Sequence, residues 1–106
     1  MDFRRTSPGR MKTMVDFASR QVWLQGELVP LTPIEYKLLY HLIRDAGHVL
    51  HHDRLLAKVW GREYTEEIDY LRVYVRGLRR KLGEDPEQPE YILTARGVGY
   101  RFRGAS

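Results

Sequence analysis

The most unusual chemistry in this sequence lies in residues 70–82, YLRVYVRGLRRKL, which include four arginines and one lysine and no acidic residue. A guanidinium group donates paired hydrogen bonds from a planar fork, which matches phosphate oxygens and the major-groove edge of guanine. A helix surface that only faces water normally interleaves acidic with basic residues. This segment therefore favours contact with a polyanion, and nucleic acid is the leading predicted partner.

A second basic segment without acidic residues lies near the C-terminus. Residues 91–103 contain Arg96, Arg101 and Arg103, so this segment carries +3 and residues 70–82 carry +5. Because the whole chain carries +4 at neutral pH, the remaining residues must be net acidic. Positive charge concentrated in two segments is typical of a protein that binds a polyanion through one part of its surface.

Enzymatic, metal and cofactor chemistry find little support. The chain has no cysteine, which excludes disulfides, thiolate metal sites and a cysteine nucleophile, and favours a reducing, cytoplasmic location. His48, His51 and His52 are the only clustered imidazoles, but no acidic residue stands at a metal-ligand spacing from them. No Ser/His/Asp order, phosphate-binding loop or membrane-spanning apolar run is present. We expect no catalytic residue, metal or cofactor, and no membrane partner.

The chain is long enough for one domain. Its 106 residues are 42% hydrophobic and 30% charged, a globular composition. Residues 1–13 show no periodicity and read as a linker or a cloning remnant, which leaves residues 14–106 for the domain. Short apolar stretches separated by turn residues predict three antiparallel strands in residues 14–29.

Three helices and a hairpin are predicted after these strands. The first helix begins at Thr32-Pro33-Ile34-Glu35, where Thr32 is a typical N-cap, and Gly47 provides its C-terminal stop. A second helix spans residues 52–60, although His51 is a poor cap. The third runs from about residue 66 to 82 and buries one stripe, formed by Ile68, Leu71, Val75, Leu78 and Leu82.

The outer surface of the third helix and the hairpin carry the candidate binding residues. Helical geometry places Val73 and Gly77 between two flanks of polar side chains, where they would let the helix approach the floor of a DNA groove. Strands at residues 91–94 and 99–103 flank a turn that presents Arg96 beside Gly97 and Gly99. An arginine at such a tip can enter a minor groove. The flank residues are Arg72, Arg76, Arg79 and Arg80 on one side and Tyr70, Tyr74 and Lys81 on the other.

Four segments carry a resemblance to a known family: LTPIEYKLLYHLIRDAGHVL, RLLAKVWG, YLRVYVRGLRRKL and YILTARGVGYRF. In this order they resemble the C-terminal output domain of OmpR/PhoB-class response regulators, especially the KdpE type. The resemblance implies an α+β winged helix-turn-helix with a four-stranded N-terminal antiparallel sheet, a three-helix core and a C-terminal β-hairpin wing. It also implies sequence-specific binding to double-stranded DNA, with the recognition helix in the major groove and the wing in the minor groove.

The family's contact residues fall on identifiable positions of this sequence. Those of the recognition helix fall on Arg72, Tyr74, Arg76, Gly77 and Arg79, those of the wing on Thr94 and Arg96, and a phosphate contact falls on Trp60. Val73 and Arg80 complete the predicted DNA-binding set from the helical geometry alone.

The resemblance also implies partners. Residues 61–67 correspond to a loop that contacts RNA polymerase, with Arg62, Glu63 and Tyr64 as its candidates; a plain connection between helices is an equally good interpretation. Relatives bind direct repeats head to tail, so we expect a monomer alone and a tandem dimer on DNA. The receiver domain and a cognate histidine kinase lie outside this chain, and potassium-transport genes are the suggested targets. The alternative function is a winged-helix interaction module that binds an acidic protein.

Overall fold

The computed structural model describes residues 13–85 and 87–104. The chain separates into two units, residues 1–32 and residues 33–106. Residues 1–12 of the predicted linker lie outside the described residues, whereas Thr13, which the sequence interpretation placed in that linker, is the first residue of a strand.

The described part of the first unit is an antiparallel meander of β1 (Thr13–Asp16), β2 (Gln21–Leu24) and β3 (Glu27–Val29), in the order β1-β2-β3. Gln25 and Gly26 both have positive φ, which suits a two-residue hairpin connection. The three predicted strands are confirmed. The fourth strand implied by the resemblance is not among the described residues.

The second unit contains the three predicted helices, α1 (Pro33–Arg44), α2 (His52–Val59) and α3 (Ile68–Lys81). A 3-10 turn (Arg62–Tyr64) lies between α2 and α3. Apolar side chains at helical spacing are buried between the helices, as predicted for α3, although Ile68 is only half-buried. The fully buried leucines of the helices are Leu38, Leu39, Leu42, Leu55, Leu56, Leu71 and Leu78.

The second unit also contains a sheet of three strands, β4 (Leu50–His51), β5 (Ile92–Ala95) and β6 (Gly99–Phe102). Their order in the sheet is β4-β6-β5. The predicted hairpin is confirmed, but sequence reasoning missed β4. Its Leu50 pairs with Tyr100 and its His51 with Gly99. A two-residue strand gives no period-2 signal, so only the long-range pairing defines it.

Gly99 allows this pairing. A Cβ atom at Gly99 would lie 1.9 Å from the carbonyl oxygen of Leu50, far inside van der Waals contact. The interpretation of Gly99 as a turn glycine is therefore wrong, because the residue is needed for close approach between strands. Gly97 does fit a turn, since its φ is +75°.

None of the helices in residues 13–85 and 87–104 is long and apolar enough to cross a membrane. The same described residues hold no group of three His, Asp or Glu side chains placed to bind a metal ion.

Candidate nucleic-acid interface

The outward surface of α3 presents cations around an apolar centre. Arg72, Arg76 and Arg80 are exposed, whereas Leu71 and Val75 are buried in the core. Val73 is 67% exposed, an unusual state for an aliphatic side chain in a helix flanked by arginines. An exposed valine within such a surface can contact the methyl group of thymine.

Gly77 leaves the backbone of α3 accessible near this centre. A Cβ atom at Gly77 would meet no heavy atom within 4 Å, so the space outside it is open. The residue is not needed for internal packing of the described protein. Its position is consistent with a close approach of the helix backbone to an external surface.

Arg79 does not belong to the exposed surface. It is only 9% exposed, and its Nε and Nη2 atoms donate to the carbonyl oxygen of Ile92 at 3.0 and 2.6 Å. Nη2 also donates to Thr94 Oγ1 at 2.8 Å, and the guanidinium lies 5.8 Å from the centroid of the Tyr100 ring. β5 thus engages Nε and Nη2 of Arg79 within the protein, and the contact of Arg79 with DNA remains a prediction.

Arg72 is held by one exposed ion pair. Its Nη1 atom lies 3.0 Å from Asp69 Oδ1, one turn earlier on α3, and both side chains are more than half exposed. Such a surface pair contributes at most about 1 kcal/mol, so a phosphate can replace the carboxylate at little cost. Asp69 thus orients Arg72 without removing it from the binding surface.

An open groove of about 670 Å³ separates α3 from the wing. The structure brings four residues of the predicted DNA-binding set together along it, namely Arg72, Val73, Arg76 and Thr94. Sequence reasoning missed Tyr100, which pairs with Thr94 in the hairpin. The full lining is Asp69, Arg72, Val73, Val75, Arg76, Arg79, Glu87, Thr94 and Tyr100.

Tyr100 lines this groove, and His52 lies beside Tyr100. Burial raises the pKa of the Tyr100 hydroxyl above its ordinary 10.0, and the positive charges of Arg79 and Arg72 oppose this shift. The ring of His52 contacts the ring of Tyr100 edge to face at 5.7 Å. Burial first, and then the positive charge of Arg72, lower the pKa of His52, which favours the neutral imidazole there.

The wing tip carries Arg96 away from the core. The Val98 N–H donates to the carbonyl of Ala95 at 2.9 Å and closes the turn, and Arg96 and Gly97 within it are exposed. The N–H of His52 donates to the Val98 carbonyl at 3.0 Å, which connects the tip to the start of α2. Arg96 is therefore an exposed cation on a turn that the fold supports at both ends.

The connection between α2 and α3 packs onto an aromatic cluster formed by Trp60, Tyr64, Tyr70 and Tyr74. The ring of Trp60 lies 5.3 Å from that of Tyr70 and 5.1 Å from that of Tyr74, and Tyr64 stacks on Tyr70 at 6.2 Å. These contacts order the connection and place Trp60 against α3. Arg62, Glu63 and Tyr64 are all exposed on it.

Comparisons with known proteins agree with this geometry. The family described as "Transcriptional regulatory protein, C terminal" matches residues 26–102. The chain is 47% identical over 88 residues to the transcriptional regulatory protein KdpE of Mycobacterium tuberculosis, and equally to the KDP operon transcriptional regulatory protein KdpE of Escherichia coli. Each alignment covers 83% of this chain and 39% of the relative, so the chain spans about two-fifths of the length of these relatives.

A solved structure gives the same result for the fold. The DNA-binding domain of Klebsiella pneumoniae RstA, crystallised in complex with the RstA box, superimposes with a TM-score of 0.81 at 30% identity. The superposition covers 90% of this chain and 98% of that domain. The α+β winged helix-turn-helix architecture predicted from the sequence is confirmed.

Proposed function

The chain belongs to the family of transcriptional regulatory protein C-terminal domains, and from that premise we propose how it binds DNA. It is a DNA-binding output domain of the OmpR/PhoB class and not an enzyme. Helix α3 enters the major groove of double-stranded DNA, and the wing tip enters the adjacent minor groove. The proposed contacts are Trp60, Arg72, Val73, Tyr74, Arg76, Gly77, Arg80, Thr94 and Arg96.

The observation that carries this proposal is the outer surface of α3. Its exposed arginines surround Val73, which is 67% exposed, and Gly77, which has open space outside it. Cations alone would fit any polyanion. The addition of an exposed apolar side chain and an accessible backbone favours a groove floor with thymine methyl groups over a phosphate surface alone.

Substitutions of two arginines test how α3 is placed in the major groove. Arg76 lines the groove towards the wing, whereas Arg80 is exposed one turn later and does not line it. We expect Arg76→Ala to cost about 1 to 3 kcal/mol and to relax preference at one base position. Arg80→Ala should weaken all duplexes alike and reduce the salt dependence. Affinities for a selected site and its single-base variants measure both, and unchanged affinity and preference in Arg76→Ala would contradict the docking.

A substitution of Arg96 tests the proposed contact of the wing with the minor groove. Since minor grooves of A·T tracts are narrow and strongly negative, Arg96→Ala should cost most on sites with an A·T-rich flank and least on G·C-rich flanks. Both flanks must be compared at one salt concentration, because the non-specific affinity itself depends on salt. An equal loss on both flanks would reduce Arg96 to a phosphate contact.

The proposed assembly is a tandem pair on direct repeats, with the isolated domain monomeric. Repeat centres should lie about 10 to 11 bp apart, so that both copies meet the same side of the duplex. Insertion of half a helical turn between repeats should abolish cooperative binding. Sedimentation of the free domain should give a monomer, and cooperativity that survives the insertion would rule out head-to-tail contact.

The remaining partners follow from the family. We propose that Arg62, Glu63 and Tyr64 contact RNA polymerase, and that a receiver domain and a histidine kinase outside this chain control its activity. Potassium-transport genes are proposed targets because the sequence resembles the KdpE type. The alternative, an interaction module for an acidic protein, is not favoured, since the relatives are transcriptional regulators. Transcription with Glu63→Ala, which leaves the aromatic cluster of Trp60, Tyr64, Tyr70 and Tyr74 intact, tests the polymerase contact, with DNA affinity measured alongside.

A further inference from the structure

One edge of the wing is covered by two side chains instead of a neighbouring strand. The Ile92 carbonyl accepts hydrogen bonds from the guanidinium of Arg79, and the Ile92 N–H donates to Glu84 Oε2 at 3.1 Å. Ile92 pairs with Phe102 of β6, and in such a non-hydrogen-bonded pair both backbone groups point to the opposite edge. Arg79 and Glu84 thus satisfy the backbone groups that a further strand would bind.

Glu84 fixes the start of β5 from the end of α3. The carboxylate is 7% exposed; Oε1 accepts from the N–H groups of Glu90 and Tyr91, the latter at 2.6 Å. With the bond from Ile92, three consecutive backbone donors converge on one buried side chain. Breaking such a charge-assisted set would leave buried N–H groups without acceptors.

Arg79 makes the matching connection from the helix itself. It lies one turn after Arg76 on α3, and its guanidinium spans from the helix to Ile92 and Thr94 of β5. A guanidinium has five fixed donors in one plane, so three bonds to two residues of β5 restrict both the distance and the orientation of the wing. A lysine donates from a single nitrogen atom, so it cannot reproduce this planar arrangement of donors.

We propose that Arg79 is a positioning residue that, with Glu84, holds the wing at a fixed distance from α3 so that the two can occupy adjacent DNA grooves simultaneously. The inference rests on the proposed function, since it concerns the wing contact through Arg96. Arg79 acts through β5 and forms no hydrogen bond to a base or phosphate. Its loss therefore impairs the wing contact while Arg96 itself is intact.

The test compares Arg79→Met with Arg80→Met in the same chain. The two substitutions remove the same charge from neighbouring positions of α3, but only Arg79 is bonded to β5. Affinity is measured on duplexes with A·T-rich and G·C-rich flanks at one salt concentration. The flank ratio is the affinity for the A·T-flanked duplex divided by the affinity for the G·C-flanked duplex. Arg79→Met should reduce this ratio to within about twofold of that of Arg96→Ala. Adding Arg96→Ala to Arg79→Met should change the ratio no further. Arg80→Met should lower both affinities and keep the ratio.

Folding is controlled separately, because Arg79 is buried. All binding is measured at a temperature where near-UV circular dichroism shows the variant folded. If Arg79→Met does not fold, Arg79→Lys replaces it. Lysine keeps the charge and can donate to β5 but lacks the planar fork, so it should give a flank ratio between those of the wild type and Arg96→Ala. A flank ratio equal to that of the wild type in the folded variant would overturn the inference.

A second measurement separates this inference from the proposed wing contact. If the wild-type domain binds both flanks equally, the proposed contact of the wing with the minor groove is wrong. The orientation of the wing in the free protein then tests whether Arg79 positions it. Residual dipolar couplings of β5 and β6 amides should no longer fit the wild-type orientation relative to α3 in Arg79→Met, and should still fit it in Arg80→Met. An unchanged orientation in Arg79→Met would show that the hydrogen bonds of Arg79 to β5 do not position the wing.

Discussion

Replacing Gly77 by alanine should stabilise the free protein and weaken its binding to DNA. Gly77 lies inside α3, where its φ is not positive and where a Cβ would meet nothing within 4 Å. Glycine in a helix interior costs about 0.8 to 1.0 kcal/mol relative to alanine, because it loses more backbone entropy on folding. With no clash to offset this gain, Gly77→Ala should raise the free energy of unfolding by about 1 kcal/mol.

For a domain of this size, that gain corresponds to an increase in Tm of roughly 4 to 8 °C. Thermal unfolding followed by circular dichroism and urea titration both measure it. Gly97→Ala is the matched control, since a Cβ at Gly97 also meets nothing within 4 Å but φ there is +75°. Alanine in the left-handed region costs about 1 to 2 kcal/mol, so the control should lose stability. The two variants differ in backbone conformation, not in available space.

Binding to DNA should change in the opposite direction in Gly77→Ala. If the α3 backbone approaches the groove floor at Gly77, an added methyl group overpacks that interface and costs about 1 to 3 kcal/mol, which is roughly fivefold to 150-fold in affinity. A variant that is more stable and binds a selected site as tightly as the wild type would refute the close approach. A variant that is less stable would refute the open space at Gly77.

Three further outcomes concern the fold. Gly99→Ala should destabilise the domain strongly in urea titration, because its Cβ would overlap the carbonyl of Leu50; a mild effect would contradict the pairing of β4 with β6. The ion pair between Lys81 Nζ and Glu35 Oε1, at 2.6 Å, should give a coupling of about 1 kcal/mol in a double-mutant cycle and less in high salt. Burial first, and then Lys58, hold the pKa of His41 below its ordinary 6.5, so the unfolded chain binds the proton more readily and stability should fall as pH drops below 6.5. His41→Gln should reduce the dependence of the free energy of unfolding on pH across this range. An unchanged dependence would show that other groups cause it.

Local patterns predicted most of the fold. The apolar stripe of α3 at spacings of three and four, the Thr32-Pro33 start of α1 and the turn residues between the short strands each act within a few residues along the chain. Such interactions are set by backbone geometry and can be read without knowing what lies across the core. The same holds for the segregation of charge, which pointed to a polyanion before any contact was known.

The sequence by itself also determined which family motifs are present and in what order, and therefore the winged helix-turn-helix fold. It could not distinguish the four arginines of α3 from one another. Helical spacing placed Arg79 on the same flank as Arg72 and Arg76, and a long cationic side chain serves equally well as a ligand for phosphate or for a buried carbonyl.

Only the tertiary structure decided between those roles. The Ile92 carbonyl, 13 residues further along the chain, lies within 3.0 Å of Arg79, whereas Arg76 and Arg80 remain exposed. Gly99 and β4 were decided in the same way, since Leu50 and Tyr100 pair across a sequence separation that no local pattern spans. The physical reason is common to both: a hydrogen bond or a steric contact depends on distances of a few tenths of an ångström between segments remote in sequence, and these distances exist only once the chain has folded.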